Sequence, residues 1–120
     1  MPVRAIRGAV CLQRDEAEEM REAVAELLTA MLSRNALDTD CVVSMLLTST
    51  ADLVSAFPAV AARSCGFSDV PLMCAQEIDV RGALPRVVRV MMHVDTDLAR
   101  DQIEHVYLRG AEVLRPDLQR

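Results

Sequence analysis

The most strand-like stretch of this 120-residue chain is Arg86-Val87-Val88-Arg89-Val90-Met91-Met92-His93-Val94. Because side chains alternate across a strand, every second residue from Val88 to Val94 is apolar and faces one side. Arg89, Met91 and His93 face the other side. We therefore predict a strand with one core face and one mixed face.

Arg89 brings a permanent charge into this apolar context, and the pattern alone allows two interpretations. If the side chain is sheltered from water, a carboxylate or an anionic ligand must meet it, because an uncompensated buried charge costs several kcal/mol. Glu77 is the nearest acidic candidate in an apolar context. If the mixed face is solvated instead, as in many antiparallel sheets, Arg89 is an ordinary surface arginine.

Composition predicts one domain, residues 1–120, with an unusual core. Hydrophobic residues make up 52% of the chain but aromatic residues only 2%, so aliphatic side chains and seven Met must fill the interior. This apolar surplus in a small chain favours an oligomer.

Charge and cysteine spacing exclude several classes of function. The net charge is −5 and all 13 basic residues are Arg, without a basic stripe, so we expect no nucleic-acid partner. The cysteines show no Cys-x-x-Cys pair and neither histidine has zinc-site spacing, so we expect no metal. The start of the chain lacks the apolar core of a signal peptide, and no apolar run approaches the length of a membrane span. We expect a soluble cytoplasmic protein with reduced thiols and no membrane contact.

The first third of the chain predicts a strand and a long helix. Val3 to Cys11 alternates, with Gly8 on its apolar face and Arg7 on the other, where small neighbours leave room for a metabolite or for close packing. Asp15 followed by Glu18 resembles a helix cap with its reciprocal partner. Apolar residues then recur at steps of three and four from Met20 to Leu32, and Arg34 and Asn35 close the helix.

The remainder predicts four more strands and one short helix. The strands are Cys41 to Thr50 with Val43, Met45 and Leu47 on its apolar face, Val70 to Ile78, Val87 to Val94, and His105 to Leu108 with a continuation to Leu114 left open. Pro58 marks the start of the short helix and Gly66 its end. This order predicts an α+β fold, a mixed sheet of about five strands packed on one long helix plus a short helix. Another copy of the chain is the expected cover for the second face of the sheet.

Several short segments, taken in order, resemble the AroH-class chorismate mutases. They are Arg4 to Ala9, Asp52-Leu53 with Phe57-Pro58-Ala59, Cys74-Ala75-Gln76-Glu77, Arg89-Val90-Met91-Met92, His105-Val106-Tyr107-Leu108, and Leu114 to Leu118. The resemblance runs from about residue 3 to 118 without large gaps. It implies a homotrimeric pseudo-α/β barrel with active sites between subunits, which isomerises chorismate to prephenate for phenylalanine and tyrosine biosynthesis without a cofactor.

The resemblance also assigns roles to single residues. Arg89 would donate to the ether oxygen of chorismate and to a carboxylate, and Arg7 would clamp a carboxylate. Glu77 would face the ring hydroxyl and the developing positive charge. Cys74 would contact the same hydroxyl, and Tyr107 would bond the side-chain carboxylate.

Further contacts would come from a neighbouring subunit and from the end of the chain. Phe57, Ala59 and Arg63 would supply a wall and an outer electrostatic contact from the neighbour. Met73 stands where the family commonly has threonine, and Val60 stands where it commonly has lysine, so the outer contacts are expected to be weaker. Arg115 matches a closing contact, although the family's usual longer tail is mostly absent.

One feature of spacing tests this assignment. Cys74 and Glu77 are three residues apart, so on a regular strand they would face opposite sides. We predict that the strand ends or bulges between them.

Two other interpretations of the function remain. One is a non-catalytic interfacial sensor or binding module for a dicarboxylate metabolite. The other is a trimeric imine deaminase, which the set Glu77, Arg89 and Tyr107 fits poorly.

Overall fold

The structure, a computed structural model that describes residues 1–115, is a five-stranded mixed sheet with two α-helices. The strands are β1 (Val3–Cys11), β2 (Val42–Ser49), β3 (Leu72–Gln76), β4 (Val87–Asp95) and β5 (Val106–Leu108), and the helices are α1 (Ala17–Ser33) and α2 (Pro58–Ser64). Short 3₁₀ turns lie at Thr39–Cys41, Arg100–Gln102 and Ala111–Leu114. The predicted α+β class, with one long and one short helix, is confirmed.

Strand β4 lies at the centre of the sheet, whose order is β3-β2-β4-β1-β5. It pairs antiparallel with β1 and β2, while β3 and β5 add parallel to the outer sides of β2 and β1. The alternate residues from Val88 to Val94 are all at most 3% exposed. The central strand therefore has the core face that its alternation predicted.

Helix α1 covers this core face, and Gly8 lets it approach β1 closely. A Cβ atom at Gly8 would lie 2.6 Å from Sδ of Met31 and 3.1 Å from Cδ1 of Leu27. Such distances are shorter than normal packing contacts. The apolar stripe predicted from Met20 to Leu32 is buried along its whole length.

The predicted cap of α1 was wrong. The helix begins after Glu16, whose side chain makes no capping bond. The Asp15 carboxylate instead accepts hydrogen bonds from the backbone N–H groups of Val54, at 3.1 Å, and Ser55, at 3.0 Å. Asp15 thus ties the loop before α2 to the start of α1, a tertiary contact that local spacing does not reveal.

One predicted detail of the strands was also wrong, and the structure decides another that the pattern left open. Val43 is 43% exposed and lies off the core face, because a register shift between Val42 and Ser44 interrupts the alternation at the start of β2. Strand β5 does not continue to Leu114. The chain leaves it through Gly110, which has a φ of 96°, and enters the turn Ala111–Leu114.

Metal ligands and membrane-spanning helices can both be considered for residues 1–115. Within this range, no group of three or more His, Cys, Asp and Glu side chains is placed to hold a metal ion. No helix in the described part of the chain has the length and apolarity needed to cross a membrane. All four cysteines are free thiols.

Candidate active site

The face of the sheet opposite α1 carries many of the side chains that the sequence analysis singled out. One line across the strands consists of Ala75, Thr48, Arg89, Ala9 and Tyr107, and the neighbouring line consists of Met73, Leu46, Met91 and Arg7. We call the surface formed by these nine residues the open face. Leu46 is 46% exposed and Met73 is 68% exposed, so apolar side chains here remain in contact with solvent.

Arg89 and Glu77 form an ion pair on the open face. Nε of Arg89 lies 3.4 Å from Oε1 of Glu77, and the side chains are 46% and 22% exposed. Oε2 of Glu77 accepts a hydrogen bond from the Thr48 hydroxyl, and Thr48 lies directly opposite Arg89 in the register of β2 and β4. The two charges are therefore held side by side where a ligand can reach them.

The end of β3 allows Glu77 to reach this position. The strand stops at Gln76, as the spacing of Cys74 and Glu77 predicted. The backbone N–H of Glu77 still donates to the Ser49 carbonyl at 2.9 Å, so the residue stays next to β2. Its carboxylate can then turn towards Thr48 and Arg89.

Arg7 and Tyr107 lie on the open face beside the ion pair. Ala9 separates Arg89 from Tyr107 in one line of the sheet, and it is fully buried in a small cluster with Ala111 against which Tyr107 packs. Arg7 is the diagonal neighbour of Arg89 across β1 and β4, a relation that corresponds to about 7–8 Å. Arg7 and Tyr107 therefore lie on the β1 and β5 side of Arg89, whereas Glu77 lies on its β2 side.

His105 supports Arg7 from the main-chain side. The backbone N–H of Arg7 donates to Nδ1 of His105 at 2.9 Å. Burial, and then the nearby guanidinium groups of Arg7 and Arg115, lower the pKa of His105 below its ordinary value of 6.5. A neutral imidazole is what this hydrogen bond needs, because Nδ1 must accept it.

Cys74 and Phe57 lie together near β3, on the helix side of the sheet. Cys74 pairs with Leu47, whose side chain lies in the core, so Cys74 leaves β3 on the helix side. It lines a groove of about 510 Å³ together with Phe57, which is 71% exposed. Within one chain, Cys74 therefore belongs with Phe57 and not with the ion pair. Arg63 lies exposed on α2.

The last three site candidates are Ala59, Met73 and Arg115. Ala59 is only 8% exposed, so little of its surface can form a wall. Met73 points to the open face, opposite Leu46 on β2. Arg115 is the last described residue and acts on His105 through its charge, whereas the segment 116–120 lies outside the described residues.

Thr48 was not among the site residues predicted from the sequence. Its position on the polar side of β2, in alternation with the buried Leu47, was a usable signal. Nothing in the sequence indicated that its partner would be Glu77, because the two residues are 29 positions apart in different segments of the chain.

Comparison with known proteins decides the family. The family model described as chorismate mutase type I matches residues 3–118. The chain belongs to this family. The resemblance seen in the ordered segments is thereby confirmed, and so is the enzyme class that it implied.

Relatives match over nearly the full chain. The chorismate mutase AroH of Bacillus subtilis is 47% identical over 98% of this chain and 94% of its own length. The chorismate mutase AroH of Thermus thermophilus is also 47% identical, over 98% of this chain and 97% of its own length. A solved chorismate mutase from Clostridium thermocellum superposes with a TM-score of 0.88 at 47% identity, covering 91% of this chain and 97% of that one.

Proposed function

We propose that this protein is a chorismate mutase that isomerises chorismate to prephenate, in the biosynthesis of phenylalanine and tyrosine in the cytoplasm. The observation that carries the proposal is the pairing of Arg89 with Glu77 on the open face, with Arg7 one strand away. Together with membership of the type I family, these fixed charges fit a dianionic substrate whose charge shifts during reaction.

The chemistry needs fixed charges and shape rather than a proton donor or a nucleophile. The ether C–O bond breaks ahead of C–C bond formation, so negative charge gathers on the ether oxygen while the ring becomes positive. Arg89 stabilises the oxygen, and Glu77 stabilises the ring and binds its hydroxyl. Donors that are already in place cost no reorganisation at the moment of reaction, which makes this kind of stabilisation effective.

Arg7 and Tyr107 bind the carboxylates in this proposal. Arg7 presents a forked donor suited to bidentate carboxylate binding, and its main chain is held by His105. Tyr107 contributes its hydroxyl from β5. Positioning both carboxylates holds the substrate in the folded shape from which bond migration can occur.

We further propose that the active site is completed between subunits of a homotrimer with a pseudo-α/β barrel architecture. The ion pair lies on the open face, whereas Cys74 and Phe57 line a groove on the helix side of β3 and Arg63 is exposed on α2. A neighbouring copy can bring its own Cys74, Phe57 and Arg63 against the open face. The exposed apolar surface of Leu46, Met73 and Phe57 supports this arrangement, because an interface would bury it.

Incubation of the purified protein with chorismate tests the proposed function. We expect the chorismate absorbance to decline with first-order kinetics at low substrate concentration, and prephenate to accumulate in equal amount. Arg89→Ala is the matched negative control, and Arg21→Ala on the exposed side of α1 is the positive control. Chorismate loss no faster than the spontaneous reaction would refute the proposal, and tight binding without turnover would favour the sensor alternative.

A further inference from the structure

Thr48 lies beside the ion pair and contacts its carboxylate directly. The Thr48 hydroxyl donates to Oε2 of Glu77 while Nε of Arg89 approaches Oε1, so both carboxylate oxygens have a partner. Thr48 is also the register neighbour of Arg89 on one side and of Ala75 on the other. It therefore lies between the strand that carries Arg89 and the strand that leads into Glu77.

Glu77 directly follows the end of β3 and is hydrogen-bonded to β2. Its main chain is bound to the Ser49 carbonyl and its carboxylate to the Thr48 hydroxyl, which are consecutive residues of β2. The chain then runs from residue 78 to 86 without helix or strand, and Ile78 is 87% exposed. Without Thr48, the carboxylate would be held by Arg89 alone at the start of an irregular loop.

We propose that Thr48 is a positioning residue, whose hydroxyl keeps the Glu77 carboxylate in place when Arg89 turns to the substrate. This rests on the proposed function. Arg89 must share its donors between Glu77 and the ether oxygen during reaction, whereas the single proton of the Thr48 hydroxyl is committed to Glu77. A β-branched side chain is stiff at χ1, so the hydroxyl direction is set before substrate binds.

Kinetics of Thr48→Val, Thr48→Ser and Ser44→Ala test the proposal. Valine keeps the shape but removes the hydroxyl, and we expect kcat to fall about tenfold while KM changes less than about twofold, a modest loss for one indirect donor. Thr48→Ser restores the hydroxyl and recovers most of kcat. Ser44→Ala removes a hydroxyl from the same side of β2, next to His93, and should behave as the unsubstituted protein.

A double-mutant cycle with Glu77→Ala separates positioning from general support of the fold. Once the carboxylate is absent, Thr48→Val should lower kcat by less than about twofold, because the two residues act as one unit. An equal loss in both backgrounds, or unchanged kcat in Thr48→Val, would overturn the proposal. If Thr48→Val does not fold, as thermal unfolding will show, Thr48→Ala takes its place in the same cycle. Absence of turnover in the unsubstituted protein would instead refute the proposed function.

Discussion

At the scale of single residues, Arg89 combines the two interpretations that its sequence context allowed. Its side chain is 46% exposed, as on a solvated face, and it also meets Glu77, as a sheltered charge requires. Ion pairs this exposed contribute little to stability, with a median of about 0–1 kcal/mol. The pair is therefore better understood as a way of fixing two opposite charges on the open face than as a source of folding energy.

Arg89→Lys should lose most of the mutase activity although the charge is kept. A lysine ammonium is a point charge on a flexible stem and cannot reproduce the forked guanidinium donors, so we expect kcat/KM to fall about 100-fold or more. The measurement is the initial rate of chorismate loss, with Arg21→Lys on the exposed side of α1 as the matched control. Turnover within a factor of three of the unsubstituted protein would contradict the role given to Arg89.

The lowered pKa of His105 predicts a pH dependence of stability. Because the folded protein binds this proton less readily than the unfolded chain does, the free energy of unfolding should fall as the pH falls below about 6.5 towards the lower folded value. His105→Gln keeps an acceptor for the Arg7 N–H but does not titrate. Its free energy of unfolding should therefore lack the part of the pH dependence that His105 contributes.

Urea unfolding between about pH 7.5 and 5, at one fixed protein concentration, measures this effect. The difference in unfolding free energy between the unsubstituted protein and His105→Gln should shrink as the pH falls. His93→Gln, on β4, is the control for loss of the other histidine. Parallel pH curves for the unsubstituted protein and His105→Gln would show that His105 does not behave as described.

At the scale of secondary-structure elements, the register of β4 against β1 and β2 assembles the candidate site. Arg89 meets Thr48 on one side and Ala9 on the other because all three strands keep alternation in phase. Helix α1 fixes the opposite face, and its contact with Gly8 sets the distance between helix and sheet. The same strands therefore pack on α1 with one face and carry the candidate site on the other.

Gly8→Ala should destabilise the fold through this helix contact. The added methyl group meets the Met31 side chain, whose flexible end can move, so we expect a loss at the low end of overpacking costs, about 1 kcal/mol. Met31→Ala removes the obstructing atoms, so Gly8→Ala should cost clearly less in that background. Chemical denaturation of the four proteins gives the coupling, and strictly additive losses would mean that the contact is unimportant.

At the scale of the whole molecule, the proposed trimer brings Phe57, Cys74 and Arg63 of one chain to the Arg89–Glu77 ion pair of a neighbouring chain. Leu46 lies between Met73 and Met91 on the open face, and its 46% exposure in one chain fits a position at a subunit boundary. A closed ring of identical subunits would place the same boundary at every site.

Leu46→Glu should convert the trimer to smaller species and abolish activity together. A buried carboxylate without a partner at an interface is costly, so assembly should fail even though each chain can still fold. Sedimentation should give a mass about three times the 13.2 kDa of one chain for the unsubstituted protein, and a lower mass for Leu46→Glu. Thr29→Glu on the exposed side of α1 is the matched control. An active, trimeric Leu46→Glu protein would contradict the proposed interface.

The sequence by itself determined the elements and the family of this protein. Alternation fixed β1 and β4, the three-and-four spacing fixed α1, Pro58 fixed the start of α2, and the ordered segments identified the family. These features depend on local periodicity and on short motifs, which the order of residues contains directly.

Tertiary structure alone decided which of these residues meet. It bound Asp15 to the loop at Val54 in place of a helix cap, moved Val43 off the core face, and joined Thr48 to Glu77. It also placed Cys74 with Phe57 and away from the ion pair. The physical reason is that partners on different segments are brought together by strand register and by the packing of the helices and loops on the sheet, and neither follows from spacing along one segment.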